Sequence, residues 1–325
     1  MRYTVRHVTT YDYAQDAAFS QHLLRLTPRE TAEQRVLDTR IEISPYADGM
    51  AAHHADRIAD RNTDPLSGAT DMFGNAEHLA TVTRPHRSLS ITATSTVERR
   101  APEDYMLQTS APWERVRDLA LGHTNLPPAM AAAPFAFPSA MTHADPAIEA
   151  YGAESLTPGR PYLAAAAELC SRINRDFEYV PGATQADTLP VASFAARRGV
   201  CQDFAHVMLA CLRAHRLPAR YVSGYLRTLP PPGKPRLEGA DASHAWVSVW
   251  DPVLDWVDFD PTNDIVPGLD HITLAWGRDF RDVCPVSGLV VGSGAQTLVV
   301  GVDVLPDESA GAPATAGGHS NPLSA

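Results

Sequence analysis

The chain has 325 residues, with 27 Lys and Arg against 38 Asp and Glu, a net charge of −11. A hydrophobic share of 44% and a charged share of 20% are those of a folded globular protein and exclude a disordered chain. The acidic balance argues against a general binder of nucleic acid or anionic membrane, and no apolar run reaches the roughly 18 residues a membrane span needs.

The length predicts about two or three domains at roughly 100–200 residues each. Met1–Val8 alternates like a strand and lacks the apolar stretch of a signal peptide, so a cytoplasmic location is the expectation. Residues 1–100 read as β. Strand patterns run over 2–10, 35–44, 78–83 and 88–97, with a Gly74-Asn75 turn signal between them. Short strands separated by turns suggest a sandwich or small barrel. His53-His54 with Asp56 reads as a solvated loop. Residues 101–160 carry eight prolines and read as a partly helical connection, with short helices near 113–121 and 146–151. Residues 161–305 carry the chemistry, and the tail from about 306 reads as disordered.

Within 161–305, Tyr162–Arg175 has the composition of a helix, and 189–198 that of a shorter one stopped by Gly199. The next helix runs from Cys201 to His215. A strand follows over 219–228. His244–Trp250 and Trp256–Asp260 read as a hairpin around 251–255. Two last strands lie at 288–291 and 297–305.

Four cysteines are too few for a disulfide framework, and no CxxC pair suggests zinc. All four therefore read as free thiols. Cys170, Cys211 and Cys284 sit where core packing explains them. Cys201 opens a helix behind Gly199, where the helix N-terminus stabilises a thiolate. Its bland alternative is a small residue packing a helix start. A thiol nucleophile needs a base and an orienting group. His206 lies about 140° around the helix from Cys201 and reads as structural; His215 is about four turns away. His244 is the better base. If the hairpin pairs symmetrically about Val253, Trp246 faces Asp260 and Ser248 faces Asp258, all on the His244 face. Asp260 is then diagonal to His244 and is the favoured orienter, with Asp258 one pair further off. The Cys201 N–H is a natural oxyanion donor, and Tyr179 or Gln202 a second. Asp203 reads as a complement to the helix dipole.

Four stretches together resemble the transglutaminase-like superfamily. They are Arg198–His206, Ala219–Tyr225, Ser243–Val247 and Asp258–Asn263, with the histidine 43 residues after the cysteine and the aspartate 16 further on. His7–Tyr13, Arg25–Pro28 and Asp71–Asn75 resemble the β-rich domain that precedes this core in bacterial members, and Gly277–Val283 resembles a stretch near its end. Two departures stand out. Residues 101–160 carry no motif that contributes to the resemblance, and Ser248 stands where an acidic residue is common.

The resemblance implies an α+β fold. An N-terminal β-sandwich-like domain (1–100) precedes a papain-like core (161–305), whose cysteine-bearing helix packs on an antiparallel sheet. It implies a Cys201–His244–Asp260 triad acting on an amide through a thioester. The implied substrate is a protein or peptide acyl donor, with water or an amine as acceptor. That makes the chain a transglutaminase-like cysteine protease or amidase, or alternatively a protein-glutamine transglutaminase. An arylamine acetyltransferase is a weaker alternative, because its Arg-Gly-Gly-x-Cys motif differs from Arg198–Cys201. A non-catalytic module partnering a peptide ligase is the third. No cofactor or metal is expected, and no D-x-D-x-D-G calcium loop is present. The sequence leaves the oligomeric state open.

Overall fold

A computed structural model describes residues 1–45, 69–102, 105–122, 125–228 and 242–307. His53, His54 and Asp56, the 229–241 loop and the tail from 308 lie outside the described residues. No described helix is long and apolar enough to cross a membrane.

The N-terminal part is built from β1 (Arg2–Ala17), β2 (Phe19–Leu24), β3 (Gln34–Ser44), β4 (Ala69–Thr70), β5 (Ala76–Val82) and β6 (His86–Arg99). Their alternation places one face inward. Tyr3, Val5 and His7 are buried on β1, and Leu89, Ile91 and Ala93 on β6. Residues of two sheets share one apolar cluster: Tyr13, Ile41 and Ile91 from one, Leu24, Ala80 and Val82 from the other. This is the sandwich arrangement the patterning predicts.

Both sheets are completed from the far end of the chain. β13 (Val286–Val291) pairs with β2, and β14 (Gln296–Pro306) pairs with β1 over eleven positions. By sequence alone, 286–305 falls within the catalytic core. Its periodicity announces strands but not their partners, because pairing depends on which apolar faces meet. Val302 and Val304 of β14 are buried with Tyr3, Val5 and Val97 on one side and Tyr225, Ile272 and Leu274 on the other. That shared cluster fastens the β sandwich to the second half.

The 101–160 region is likewise no mere connection. α1 (Trp113–Ala120) packs on α4 (Tyr162–Asp176), α2 (Pro127–Ala132) on α1, and α3 (Pro146–Ala153) on the helix that begins at Cys201, and they contribute Val116, Ala120, Ala129, Ala132, Ile148 and Tyr151 to the main core. Asp145 starts α3 by accepting from the Ala147 and Ile148 N–H groups, with Pro146 in the first turn. The prolines thus set helix starts within a packed layer.

The second half holds β7 (Glu178–Tyr179), α5 (Pro190–Ala196), β8 (Arg198–Gly199), α6 (Cys201–Ala214) and a four-stranded antiparallel sheet. The sheet is ordered β11 (Asp255–Phe259), β10 (Ala242–Asp251), β9 (Ala219–Leu226), β12 (His271–Gly277). A short α7 (Phe280–Val283) leads into β13. α6 is buried along nearly its whole length, from Asp203 to Arg213, and shares the main core with Ala245, Val247 and Val249 of β10. A cysteine-headed helix on an antiparallel sheet is the α+β core the resemblance implies.

Candidate active site

The start of α6 is defined by what precedes it. Arg197 adopts a left-handed φ of 51° and ends α5. β8 then pairs in parallel with β7 and sets Tyr179 opposite Gly199. Asp203 reaches back from the first turn of α6. Its Oδ2 accepts from the Val200 N–H at 2.8 Å and from the Thr184 hydroxyl at 2.6 Å. A Cβ on Gly199 would lie 2.5 Å from this oxygen. Glycine is therefore required at 199 by close approach; the left-handed residue of the turn is Arg197. Burial pushes the Asp203 carboxyl up, against the pull of its two hydrogen bonds.

Cys201 is partly exposed at the first position of α6. It opens into a cleft of about 280 Å³. Gln202, Tyr221 and His244 line it from the second half, His7, Thr9 and Tyr11 from β1, and Leu298 and Val300 from β14. The β sandwich thus supplies one wall of the cleft. Cys284 also lines it, half-buried, with its thiol donating to the Val286 carbonyl at 3.2 Å. Cys170 and Cys211 are buried, and burial pushes both thiols up, Cys211 to about 12.

The β10–β11 register is the one the turn predicts, with Val247 opposite Phe259 and Ser248 opposite Asp258. Just past the end of β11, Asp260 is fully buried. Its Oδ2 accepts from His244 Nε2 at 2.7 Å, from His271 Nε2 at 3.0 Å and from Asn263 Nδ2 at 2.7 Å. Its Oδ1 accepts from the Thr262 N–H at 2.9 Å and the Asn263 N–H at 3.3 Å. Asp258 is used elsewhere: its Oδ2 accepts from Trp246 Nε1 at 2.9 Å. The hairpin therefore separates the two aspartates, one to the histidine and one to the tryptophan.

Burial works against a charge on His244, but hydrogen bonds to Asp260 and to Cys201, with the charges of both, hold its pKa well above the usual value. Burial works the same way on Asp260, and the donors His244, His271 and Asn263 outweigh it, holding the carboxyl well below its usual range. Because Nε2 is taken by Asp260, Nδ1 is the His244 nitrogen left for the thiol.

The other sequence candidates lie at different depths. Tyr179 is half-exposed beside the start of α6 and is not among the cleft-lining residues. Gln202 lines the cleft but gives one amide N–H to the Ala186 carbonyl at 2.9 Å. His206 is fully buried; its Nε2 accepts from the Phe280 N–H at 3.2 Å, and burial pushes it down to about 3. It is a neutral structural histidine. His215, at the C-terminal end of α6, contacts the Glu149 carbonyl at 3.1 Å.

Sequence reasoning missed His271. It starts β12, which pairs with β9 and not with the hairpin, so no local spacing ties it to Asp260. Asn263 was visible within the aspartate motif, but not its contact. Among the described residues, His244, Asp260 and His271 form a cluster of metal-type ligands. Asp260 Oδ2 is already occupied by both rings, so a cation there would have to replace those hydrogen bonds.

Residues 3–98 match the bacterial transglutaminase-like N-terminal region, and residues 150–261 match the transglutaminase-like superfamily. The chain belongs to the transglutaminase-like superfamily. The core match takes in Cys201, His244 and Asp260 and stops short of His271. An uncharacterized protein of Mycobacterium tuberculosis (strain ATCC 25618 / H37Rv) is 38% identical over 315 residues, covering 94% of this chain and 93% of that protein. A 30% identical uncharacterized protein of Mycobacterium leprae covers 93% of this chain and 98% of its own length. A protein-glutamine gamma-glutamyltransferase of Pseudomonas aeruginosa is 36% identical over 135 residues, which span 39% of this chain and 20% of that enzyme. The crystal structure of a candidate cysteine protease from Cytophaga hutchinsonii has the same fold, with a TM-score of 0.68 at 21% identity over 95% of this chain and 92% of that one.

Proposed function

We propose that this transglutaminase-like protein is a cysteine-dependent amide hydrolase acting on peptides or proteins. The observation that carries this reading is the Asp260–His244–Cys201 relay opening on a cleft. Asp260 fixes the ring of His244 and favours its charged form. His244 takes the thiol proton of Cys201 at Nδ1. The sulfur attacks the amide carbonyl, and the oxyanion is held by the Cys201 N–H, with Gln202, which lines the cleft as Tyr179 does not, as second donor. The C–N bond breaks as His244 returns its proton to the leaving amine, leaving a thioester. Water, deprotonated by His244, then attacks the thioester, the C–S bond breaks, and the acid leaves. A primary amine in place of water makes the same site a crosslinking transglutaminase.

The wall from β1 and β14 favours an extended acyl chain lying between sandwich and core. A peptide library incubated with the enzyme and read by mass spectrometry, with and without an added primary amine, tests the reading. New chain termini support hydrolysis. Glutamine–amine adducts without new termini overturn hydrolysis in favour of crosslinking. Cys201→Ala should abolish either product and the sensitivity to iodoacetamide; full activity in that variant refutes the triad.

A further inference from the structure

Behind the catalytic sheet lies a second cavity, of about 370 Å³. It shares no lining residue with the cleft at Cys201. Arg220 of β9 and Arg99 of β6 line it, with Trp256, Trp276 and Tyr105. The Arg220 guanidinium lies 4.2 Å from the ring centre of Trp256 and 3.6 Å from that of Trp276. The two indoles cover its faces but offer no hydrogen-bond acceptor.

Arg220 is only 9% exposed, and its Nε is sealed without a partner. Among the described residues nothing accepts a hydrogen bond from its guanidinium or forms an ion pair with it. Asp258, its strongest acidic neighbour, accepts from Trp246 through Oδ2 and forms no ion pair with Arg220. The residue directly across the strand is Ser248, whose hydroxyl is also sealed without a partner. The second cation, Arg99, gives one donor to the Gly268 carbonyl at 3.0 Å and keeps an unpaired Nε. Burial pushes Arg220 down to about 9, with Asp258 pulling it up and Arg29 adding to the fall. A nearly buried guanidinium that lines a cavity and has no ion pair among the described residues is a site for an anion.

We propose that this cavity binds a small monocarboxylate, taken through its two oxygens by the guanidinium of Arg220. A carboxylate matches the planar guanidinium fork. The cavity is at the small end of ligand pockets. Glu33, Asp255 and Asp258 also line it. These acids oppose a multiply charged anion such as phosphate and tolerate an ammonium beside the carboxylate, as in a free amino acid. The space between the indoles is filled by the Arg220 guanidinium, so the body of the ligand lies outside that stack, in the cavity.

Thermal unfolding of the full chain, titrated at constant ionic strength with acetate, glycine, chloride or phosphate, tests the site. Acetate or glycine should raise Tm saturably, by on the order of 3 °C near a hundredfold excess over Kd. The order of the two tells whether the rim acids hold an ammonium. Ser248→Glu places an internal carboxylate across from Arg220; it should raise Tm without additive and abolish the response. Ser248→Asp does the same with a shorter side chain. A wild type with no saturable carboxylate response overturns the proposal. So does a response equalled by chloride and phosphate, or one retained in full by both Ser248 variants.

Discussion

Asp260→Asn is the sharpest test of the relay, because it changes one atom of a fully buried side chain. The Oδ1 side accepts the Thr262 and Asn263 N–H groups, and the Asn carbonyl can continue to do so. The new NH2 group then takes the place of Oδ2 and faces His244 Nε2, His271 Nε2 and the Asn263 amide, which has to turn its oxygen toward it. A donor facing His244 Nε2 requires that nitrogen to be an acceptor, which moves the ring proton to Nδ1. Nδ1 is the nitrogen turned to Cys201, so the thiol loses its base. Loss of the correct tautomer in a triad costs about 10^4-fold in kcat, and a loss of about 10^3 to 10^4 is expected here. That corresponds to about 4–5 kcal/mol of activation free energy. The assay is the rate of Cys201 alkylation by iodoacetamide across pH, with peptide turnover alongside. Alkylation at neutral pH should fall with turnover while the fold persists by circular dichroism. Asp258→Asn is the control. It touches Trp246 Nε1 and not the histidine, so turnover should stay within about tenfold, near 1.4 kcal/mol. Alkylation in Asp260→Asn within a few-fold of wild type would refute the reasoning.

Three further outcomes follow from other parts of the structure. Gly199→Ala places a Cβ 2.5 Å from Asp203 Oδ2 and should cost about 1–3 kcal/mol in urea unfolding, with loss of turnover as the start of α6 shifts. His206 stays neutral down to about pH 3 against a usual 6.5. Below pH 6.5 the unfolded chain takes up a proton that the native state refuses, so stability should fall with falling pH by about 1.4 kcal/mol per unit from this residue. His206→Gln should remove that share of the slope between pH 6 and 4, whatever it does to the total; an unchanged slope refutes the assignment. His271→Phe keeps a ring but removes one donor from Asp260, and should lower kcat by roughly tenfold, or about 1.4 kcal/mol, without changing KM; a turnover equal to wild type would show that His271 only fills space.

The two aspartates mark how much of the site was legible in the sequence. In a hairpin with a short turn, pairing geometry ties residues sixteen apart to one face. Asp260 was therefore assignable to His244, and the observed register agrees. Cys201 was legible for a similar reason: a glycine, a helix pattern and a thiol in sequence define a helix start. The reason for the glycine was not legible, since it lies in the returning side chain of Asp203.

Local patterning determined that the chain has a β-rich front, a cysteine-headed helix and a histidine–aspartate hairpin. Tertiary structure decided what those parts touch. It joined β13 and β14 to the first sheets, packed the proline-rich region into the core, and turned the β sandwich into a wall of the cleft. It also delivered His271 to Asp260 and set Arg220 opposite Ser248, without an acid, in the sheet register. The physical reason is common to all of these. Period and spacing encode which face of an element is apolar. Which distant face it meets is settled only when the whole set of elements closes around shared cores.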